Sequence, residues 1–235
     1  MDILDRLSLF SQLDYCALLL MVALWVLIGW RIENPSSKHP SVSVIMADYR
    51  REWMRQMITR DPRIFDATIL GNLRQGTAFF ASASMISIGG VLALVGNTEQ
   101  LIGIADDLTL SRDPEIVWEV KLMVTLFFVT NAFLKFVWSN RLFGYCAVVM
   151  SSVPNEIDHP NTLPRAMKAG EINVTAARSF NRGLRSVYFG LASAAWLAGP
   201  VALIAATLVT CLVLWRREFA SHSRSVLLSS DVHKA

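Results

Sequence analysis

The sequence is poor in charge and in the residues that build catalytic or metal sites. Charged side chains make up 17% of its 235 residues. The chain also has only three cysteines and four histidines. A soluble domain usually carries about 25% charged residues, so an ordinary soluble domain is not indicated. Cys16, Cys146 and Cys211 lie far apart, within or beside apolar segments. They are predicted to be buried small apolar residues rather than a disulfide or metal framework.

Sequence motifs of enzymes are also lacking. The histidines, His39, His159, His222 and His233, do not stand at i, i+4 spacing with an acidic residue, as a metalloprotease helix requires. There is no glycine-rich phosphate loop and no nucleophile elbow. The sequence therefore predicts no enzyme activity, no cofactor and no metal.

Long apolar stretches are what the chain does have. They cover residues 13–30, 76–95, 122–138 and 187–215. A bilayer core of about 30 Å needs about 20 apolar residues in a helix. The sequence thus predicts an all-α, multi-pass bundle with four transmembrane helices in the cell (inner) membrane. It forms one membrane domain over residues 1–219, followed by a disordered tail over 220–235.

The charges between these stretches predict an orientation. Lysine and arginine number eight in residues 31–75 and six in 139–186, whereas 96–121 holds two against six acidic residues. By the positive-inside rule the two long basic loops are cytoplasmic, which puts both termini outside. Arg216 and Arg217, directly after the last apolar stretch, disagree with this orientation.

The helices are expected to extend beyond the apolar stretches into the cytoplasm. No helix breaker separates Pro62 from the second stretch, and the last stretch should kink near Gly199 and Pro200. Residues 42–60 predict an amphipathic surface helix with Trp53 and Met57 on its apolar face. That face either lies on the membrane or packs on the cytoplasmic ends of the bundle.

Two groups of polar residues are candidate binding sites. Asn131 and Lys135 share one face of the third stretch, where they form either a polar pathway or ordinary contacts between helices. The second group is a cytoplasmic layer of amide and arginine side chains: Asn72, Arg74, Gln75, Arg141, Asn181 and Arg182. This layer fits an anionic lipid headgroup, a nucleotide-like ligand or a membrane protein partner, or only hydrogen bonds between helices. Nucleic acid is not an expected partner.

Small residues dominate the second stretch, including Ser82, Gly89 and Gly90. Close packing against other helices of the bundle is the simplest expectation, and a serine-lined path is the alternative.

Several short motifs are similar to those of a known family. They run along the chain as Tyr49-Arg50-Arg51-Glu52-Trp53-Met54, Asn72-Leu73, Phe79-Phe80-Ala81-Ser82, Lys135-Phe136-Val137-Trp138-Ser139-Asn140-Arg141, Tyr145, Asn181, Arg185, Trp196, Gly199-Pro200 and Arg217-Glu218-Phe219. Together, over roughly residues 13–222, they resemble the domain-of-unknown-function 599 family of bacterial and plant membrane proteins. The resemblance implies a four-helix membrane protein and no established activity.

The sequence therefore leads to two functional hypotheses. The first is a non-enzymatic accessory, scaffold, or lipid- or partner-binding component of the bilayer that forms homo-oligomers. The second is a small oligomeric transporter or channel that uses the face around Asn131 and Lys135.

Overall fold

The computed structural model describes residues 9–99, 102–103 and 114–229, and within these ranges its regular structure is helical, with no strand. The helices are α1 (Gln12–Glu33), α2 (Val42–Met57), α3 (Ile64–Val95), α4 (Glu115–Ser151), α5 (Thr162–Ala194), a 3₁₀ turn (Ala195–Ala198), α6 (Pro200–Phe219) and α7 (His222–Leu228). The predicted all-α class is confirmed.

In the part of the chain that the structure describes, four helices are long and apolar enough to cross a membrane: α1, α3, α4, and α6 together with the short helix that follows it. Helix α3 begins at Ile64, well before the apolar stretch that starts at residue 76, and α4 continues to Ser151, past residue 138. The predicted extension of helices beyond the apolar stretches is confirmed. No proline or glycine that requires a special backbone conformation interrupts these extensions, so helical hydrogen bonding continues through them.

The last apolar stretch, 187–215, is not one kinked helix as predicted. Helix α5 ends at Ala194, the 3₁₀ turn follows, and Gly199 adopts a φ of 108° before α6 begins at Pro200. A positive φ is open to glycine because it has no Cβ, and proline fits a first helical position because no partner for its nitrogen is needed there. The Gly199-Pro200 pair therefore separates two helices.

Contacts divide the chain into two compact units. The first unit comprises Met1–Gly29, Ser82–Phe133 and Gly183–Leu214, and the second comprises Trp30–Ala81, Leu134–Arg182 and Trp215–Ala235. In the first unit, the rings of Trp25 and Phe128 meet edge to face with centroids 5.1 Å apart, and Phe128 stacks on Phe189. Aromatic packing thus joins α1, α4 and α5 there.

The core of the second unit is built by four helices. Met54 and Met57 of α2 are fully buried together with Leu70 of α3 and Phe143 of α4. Ala166 of α5 completes this cluster. Full burial of each large apolar side chain contributes about 1.5–3 kcal/mol. The apolar face of α2 therefore packs on other helices, which confirms that alternative for the amphipathic helix.

Two predictions about single segments are corrected. The tail predicted to be disordered from residue 220 forms α7, whose first turn is capped by the Ser221 hydroxyl; residues 230–235 lie outside the described part. Cys146 is buried as predicted, but Cys16 is exposed on α1. Cys16 is exposed because the side of an apolar helix that faces away from its neighbours needs no burial in lipid.

Candidate functional site

The predicted polar face of α4 meets α5. In the first unit, the Asn131 amide donates a hydrogen bond to the Ser186 hydroxyl at 2.9 Å. The hydroxyls of Thr125 and Ser193 lie 2.9 Å apart, and both residues are buried. Such side-chain hydrogen bonds hold membrane helices together because lipid offers no alternative partner. Asn131 is thus placed in a helix–helix contact.

In the second unit the same pairing of α4 with α5 uses backbone carbonyls. The Ser179 hydroxyl donates to the Lys135 carbonyl at 2.9 Å, and the Ser139 hydroxyl donates to the Ala176 carbonyl at 2.7 Å. The Lys135 side chain itself is half-buried. The face predicted from the sequence exists, and its hydroxyl and amide groups serve the contact between α4 and α5.

Asn181 and Arg182, inside α5, lie in the second unit where the end of α1, the start of α2 and the end of α6 meet. The Arg182 guanidinium forms an ion pair with Glu33 at the end of α1, with Nε 2.8 Å from Oε1. Because Glu33 hydrogen-bonds it, the pKa of Arg182 is raised. The Asn181 amide donates to the Ser43 hydroxyl at 3.3 Å. Ser43 in turn donates through its backbone N–H and its hydroxyl to Glu218, both at 3.0 Å.

The remaining residues of the predicted layer make separate contacts on α3 and α4. Arg141 Nε donates to the Tyr145 hydroxyl at 2.5 Å, and its guanidinium carbon lies 5.6 Å from that ring centroid. Arg74 takes part through its carbonyl, which accepts from the Asn140 amide at 2.9 Å. Asn72 and Gln75 are exposed. The layer predicted as one cluster is therefore divided into two groups of contacts.

A buried carboxylate anchors α2 to α3. Asp66, fully buried in the first turn of α3, accepts a hydrogen bond from Trp53 Nε1 at 2.6 Å and also pairs with Arg60. Trp53 stood on the predicted apolar face of α2, and Asp66 is in register with Leu70 and Leu73 on α3. An acidic residue on the buried stripe of an otherwise apolar helix was the available signal for this contact.

Sequence reasoning missed charged residues at the starts of α1 and α4. Lys121 is 2% exposed, with its ammonium 5.5 Å from the Trp118 ring centroid. Asp14 accepts a hydrogen bond from Trp196 Nε1 at 2.7 Å. Lys121 was assigned to a loop because the apolar stretch begins at residue 122. The missed signal was the position of Lys121 four residues before Thr125, which puts it on the face of α4 that meets α5.

Arg50, which belongs to the family-like motif of residues 49–54 on α2, was also missed as a site residue. Its guanidinium donates to the side-chain oxygen of Asn173 on α5 at 2.5 Å. The periodicity of α2 indicated which side of the helix is apolar but not that an arginine at the edge of that side faces a buried amide.

The four helices with apolar lengths sufficient to cross a bilayer indicate a membrane protein of the helical class. The chain matches the family model described as protein of unknown function, DUF599, over residues 16–223, and it belongs to that family. The predicted family resemblance is confirmed. No curated protein and no solved structure matches the chain.

Residues of the family-like motifs recur in the contacts between helices. Trp53 donates a hydrogen bond to Asp66, Asn181 to Ser43, and Trp196 to Asp14. The motifs that identify the family thus serve, at these positions, to hold helices of each unit together.

Proposed function

We propose that this protein is a non-enzymatic scaffold of the cell (inner) membrane, and that it associates with a second copy of itself through α3. The observation that carries this proposal is the exposure of α3. Only 6% of its most apolar window is buried, against 17% for α1 and 28% for α4. Helix α3 therefore has the largest uncovered share among the helices that could cross a membrane.

The exposed side of α3 has the spacing of a helix-pairing seam. Its members recur at alternating intervals of four and three residues, and all are exposed: Gly71, Gln75, Ala78, Ser82, Met85 and Gly89. Alternation of this kind keeps one side of a helix facing a partner helix over several turns. Four of the six are glycine, alanine or serine, which let two backbones approach closely in lipid.

A second copy of the chain is the partner that this seam fits. In a symmetric dimer about an axis along the membrane normal, each seam residue faces its own counterpart. Gln75 suits such self-pairing because an amide is both donor and acceptor. A Cβ built on Gly71 or Gly89 has nothing within 4 Å. No contact among the described residues therefore accounts for glycine at these two positions.

Disulfide cross-linking tests the proposal. With Cys16 and Cys211 replaced by alanine, Ser82→Cys should give an oxidised dimer in native membranes. The matched control is Leu19→Cys on α1, which is 70% exposed in the same unit. Equal cross-linking at both positions would mean random collision and would remove α3 as the interface.

Bulky substitutions on the seam provide the second arm. Gly89→Leu has space in the monomer, because nothing lies within 4 Å of its Cβ position. We expect it to fold normally and to lower the dimer fraction in nanodiscs, measured by mass photometry. A fully dimeric Gly89→Leu protein would contradict the proposed interface.

We infer that the two termini lie on opposite sides of the membrane. Arg182 pairs with Glu33 at the end of α1, and Trp196 pairs with Asp14 at its start. Helix α5 thus contacts the end of α1 in the second unit, and the 3₁₀ turn after it contacts the start of α1 in the first unit. In the second unit, the Arg31 guanidinium of α1 also lies 5.1 Å from the centroid of the Phe219 ring of α6.

We propose that α5 also crosses the bilayer, beside the four helices that are long and apolar enough to do so, so that the N-terminus is outside and the C-terminus is cytoplasmic. This arrangement keeps both long basic loops in the cytoplasm and moves Arg216 and Arg217 there as well. The support for this topology is that it removes the one disagreement with the positive-inside rule.

A further inference from the structure

We propose that Arg50 anchors a binding site for a phosphate-type anion between α2 and α5. Its half-buried guanidinium donates through Nη1 to Asn173 Oδ1 at 2.5 Å. A guanidinium carries five N–H donors in a planar fork. Arg50 forms no ion pair with any residue in the described ranges, so most of this fork is available to a ligand.

Asn173 fixes the position of the guanidinium. It is fully buried, and its amide donates to Cys146 Sγ at 3.6 Å. The Cys146 thiol donates its hydrogen to the Ala169 carbonyl at 3.3 Å, so the sulfur acts as acceptor toward Asn173. The side-chain oxygen of Asn173 is therefore the atom that faces Arg50. This chain of hydrogen bonds presents the rest of the guanidinium in a defined orientation.

Arg51, the residue after Arg50, pairs with two acidic side chains. Arg51 forms ion pairs with Asp48 at 2.8 Å and with Glu171 at 2.6 Å. The hydrogen bond to Glu171 raises the pKa of Arg51, whereas burial lowers the pKa of Arg50. Of these adjacent arginines, Arg51 is the one that pairs with carboxylates among the described residues.

A bound anion would supply the missing counter-charge. An arginine stays protonated at neutral pH, and burying a charge without a partner costs free energy. The planar fork matches the oxygens of phosphate with two parallel hydrogen bonds. Two sources of phosphate are possible: a free phosphate-bearing solute and a lipid headgroup.

Thermal unfolding in phosphatidylcholine nanodiscs tests this site and separates the two sources. One arm adds inorganic phosphate at constant ionic strength, with chloride as the reference. The other arm adds phosphatidylglycerol to the nanodisc without free phosphate. Saturating anion should raise the Tm of the wild-type protein by about 3 °C. Arg50→Gln should lose this shift, and the matched control Arg51→Gln should retain it.

A second readout separates a binding site from a structural arginine. Without phosphate or anionic lipid, Arg50→Gln should have a Tm equal to or above that of the wild type, because it removes an uncompensated charge and still offers a donor to Asn173. If Arg50→Gln does not fold, Arg50→Lys decides, since it keeps the charge without the fork and should show a smaller shift.

The outcomes are distinct. A shift with phosphate assigns the free solute, and a shift with phosphatidylglycerol alone assigns the headgroup. An equal shift in wild type and Arg50→Gln, or no shift with either anion, overturns the site.

Discussion

Glu218, near the end of α6, accepts two hydrogen bonds from Ser43 in the first turn of α2, one from its backbone N–H and one from its hydroxyl, both at 3.0 Å. A helix N-terminus has backbone N–H groups without partners inside the helix, and negative charge there is favourable. Glu218 therefore provides a second cap for α2 beside the Ser41 hydroxyl, which accepts from the Val44 N–H.

Removing this cap should loosen the start of α2. Glu218→Ala leaves the Ser43 groups without their acceptor, at a cost of about 1–3 kcal/mol. Glu218→Gln keeps one acceptor oxygen and loses the other together with the charge, so its effect should be smaller than that of Glu218→Ala; the charge accounts for about 0.3–1 kcal/mol of it. Hydrogen exchange of the first turn of α2 measures the effect, with the exposed Glu52→Gln as control. Unchanged protection in Glu218→Ala would show that the cap contributes nothing.

Asn131 and Ser186 should be energetically coupled if their hydrogen bond holds α4 to α5. A double-mutant cycle with Asn131→Ala and Ser186→Ala is expected to give a coupling of about 0.6 kcal/mol, the average for such bonds within membranes. Lys135→Ala should leave the free energy of unfolding nearly unchanged, because Lys135 contacts α5 through its backbone carbonyl.

The same Lys135→Ala variant distinguishes the scaffold from the transporter hypothesis. As a scaffold, the protein should assemble with unchanged oligomeric state, and reconstituted vesicles should show the same permeability to small solutes with either form. A solute flux that is present in the wild type and abolished in Lys135→Ala would favour the transporter.

The helices were predictable from the sequence because length and hydropathy dictate them. Helix α3 could be extended back toward Ile64 because nothing in the sequence stops it. The break at Gly199 was predicted only as a kink, because a glycine before a proline is compatible with one kinked helix and with two separate helices. The φ of 108° at Gly199 shows that the two helices are separate.

The candidate site was less predictable because polar pairing depends on which helices become neighbours. Asn181 was singled out from its position, but its contact with Ser43 requires two segments 138 residues apart to meet. Arg50 and Arg51 are adjacent and chemically alike, and only the fold gives Arg51 its carboxylates. Composition shows that arginines are present but not which of them lacks a counter-ion.

The ion pair of Arg51 with Glu171 should make a small, pH-dependent contribution to stability. The hydrogen bond from Arg51 lowers the pKa of Glu171. Its contribution is therefore present above the unfolded pKa of glutamate, about 4.3, and is lost as the pH falls through the lower folded value. Both side chains are partly exposed, at 33% and 56%, so screening limits the pair to less than about 1 kcal/mol. Glu171→Gln should lower the Tm slightly at pH 7, and the difference from the wild type should disappear as the pH falls through the folded pKa of Glu171.

The proposed placement of the two termini on opposite sides makes a direct prediction about membrane topology. Because the proposed topology puts Arg216 and Arg217 in the cytoplasm, a C-terminal alkaline phosphatase fusion should be inactive and a C-terminal green fluorescent protein should fluoresce. Phosphatase inserted after Asn97, between α3 and α4, should be active and serves as the external control. An active C-terminal phosphatase would place both termini on one side, as four crossings require. The end of α5 would then not cross the bilayer, although Trp196 in the turn after it hydrogen-bonds Asp14.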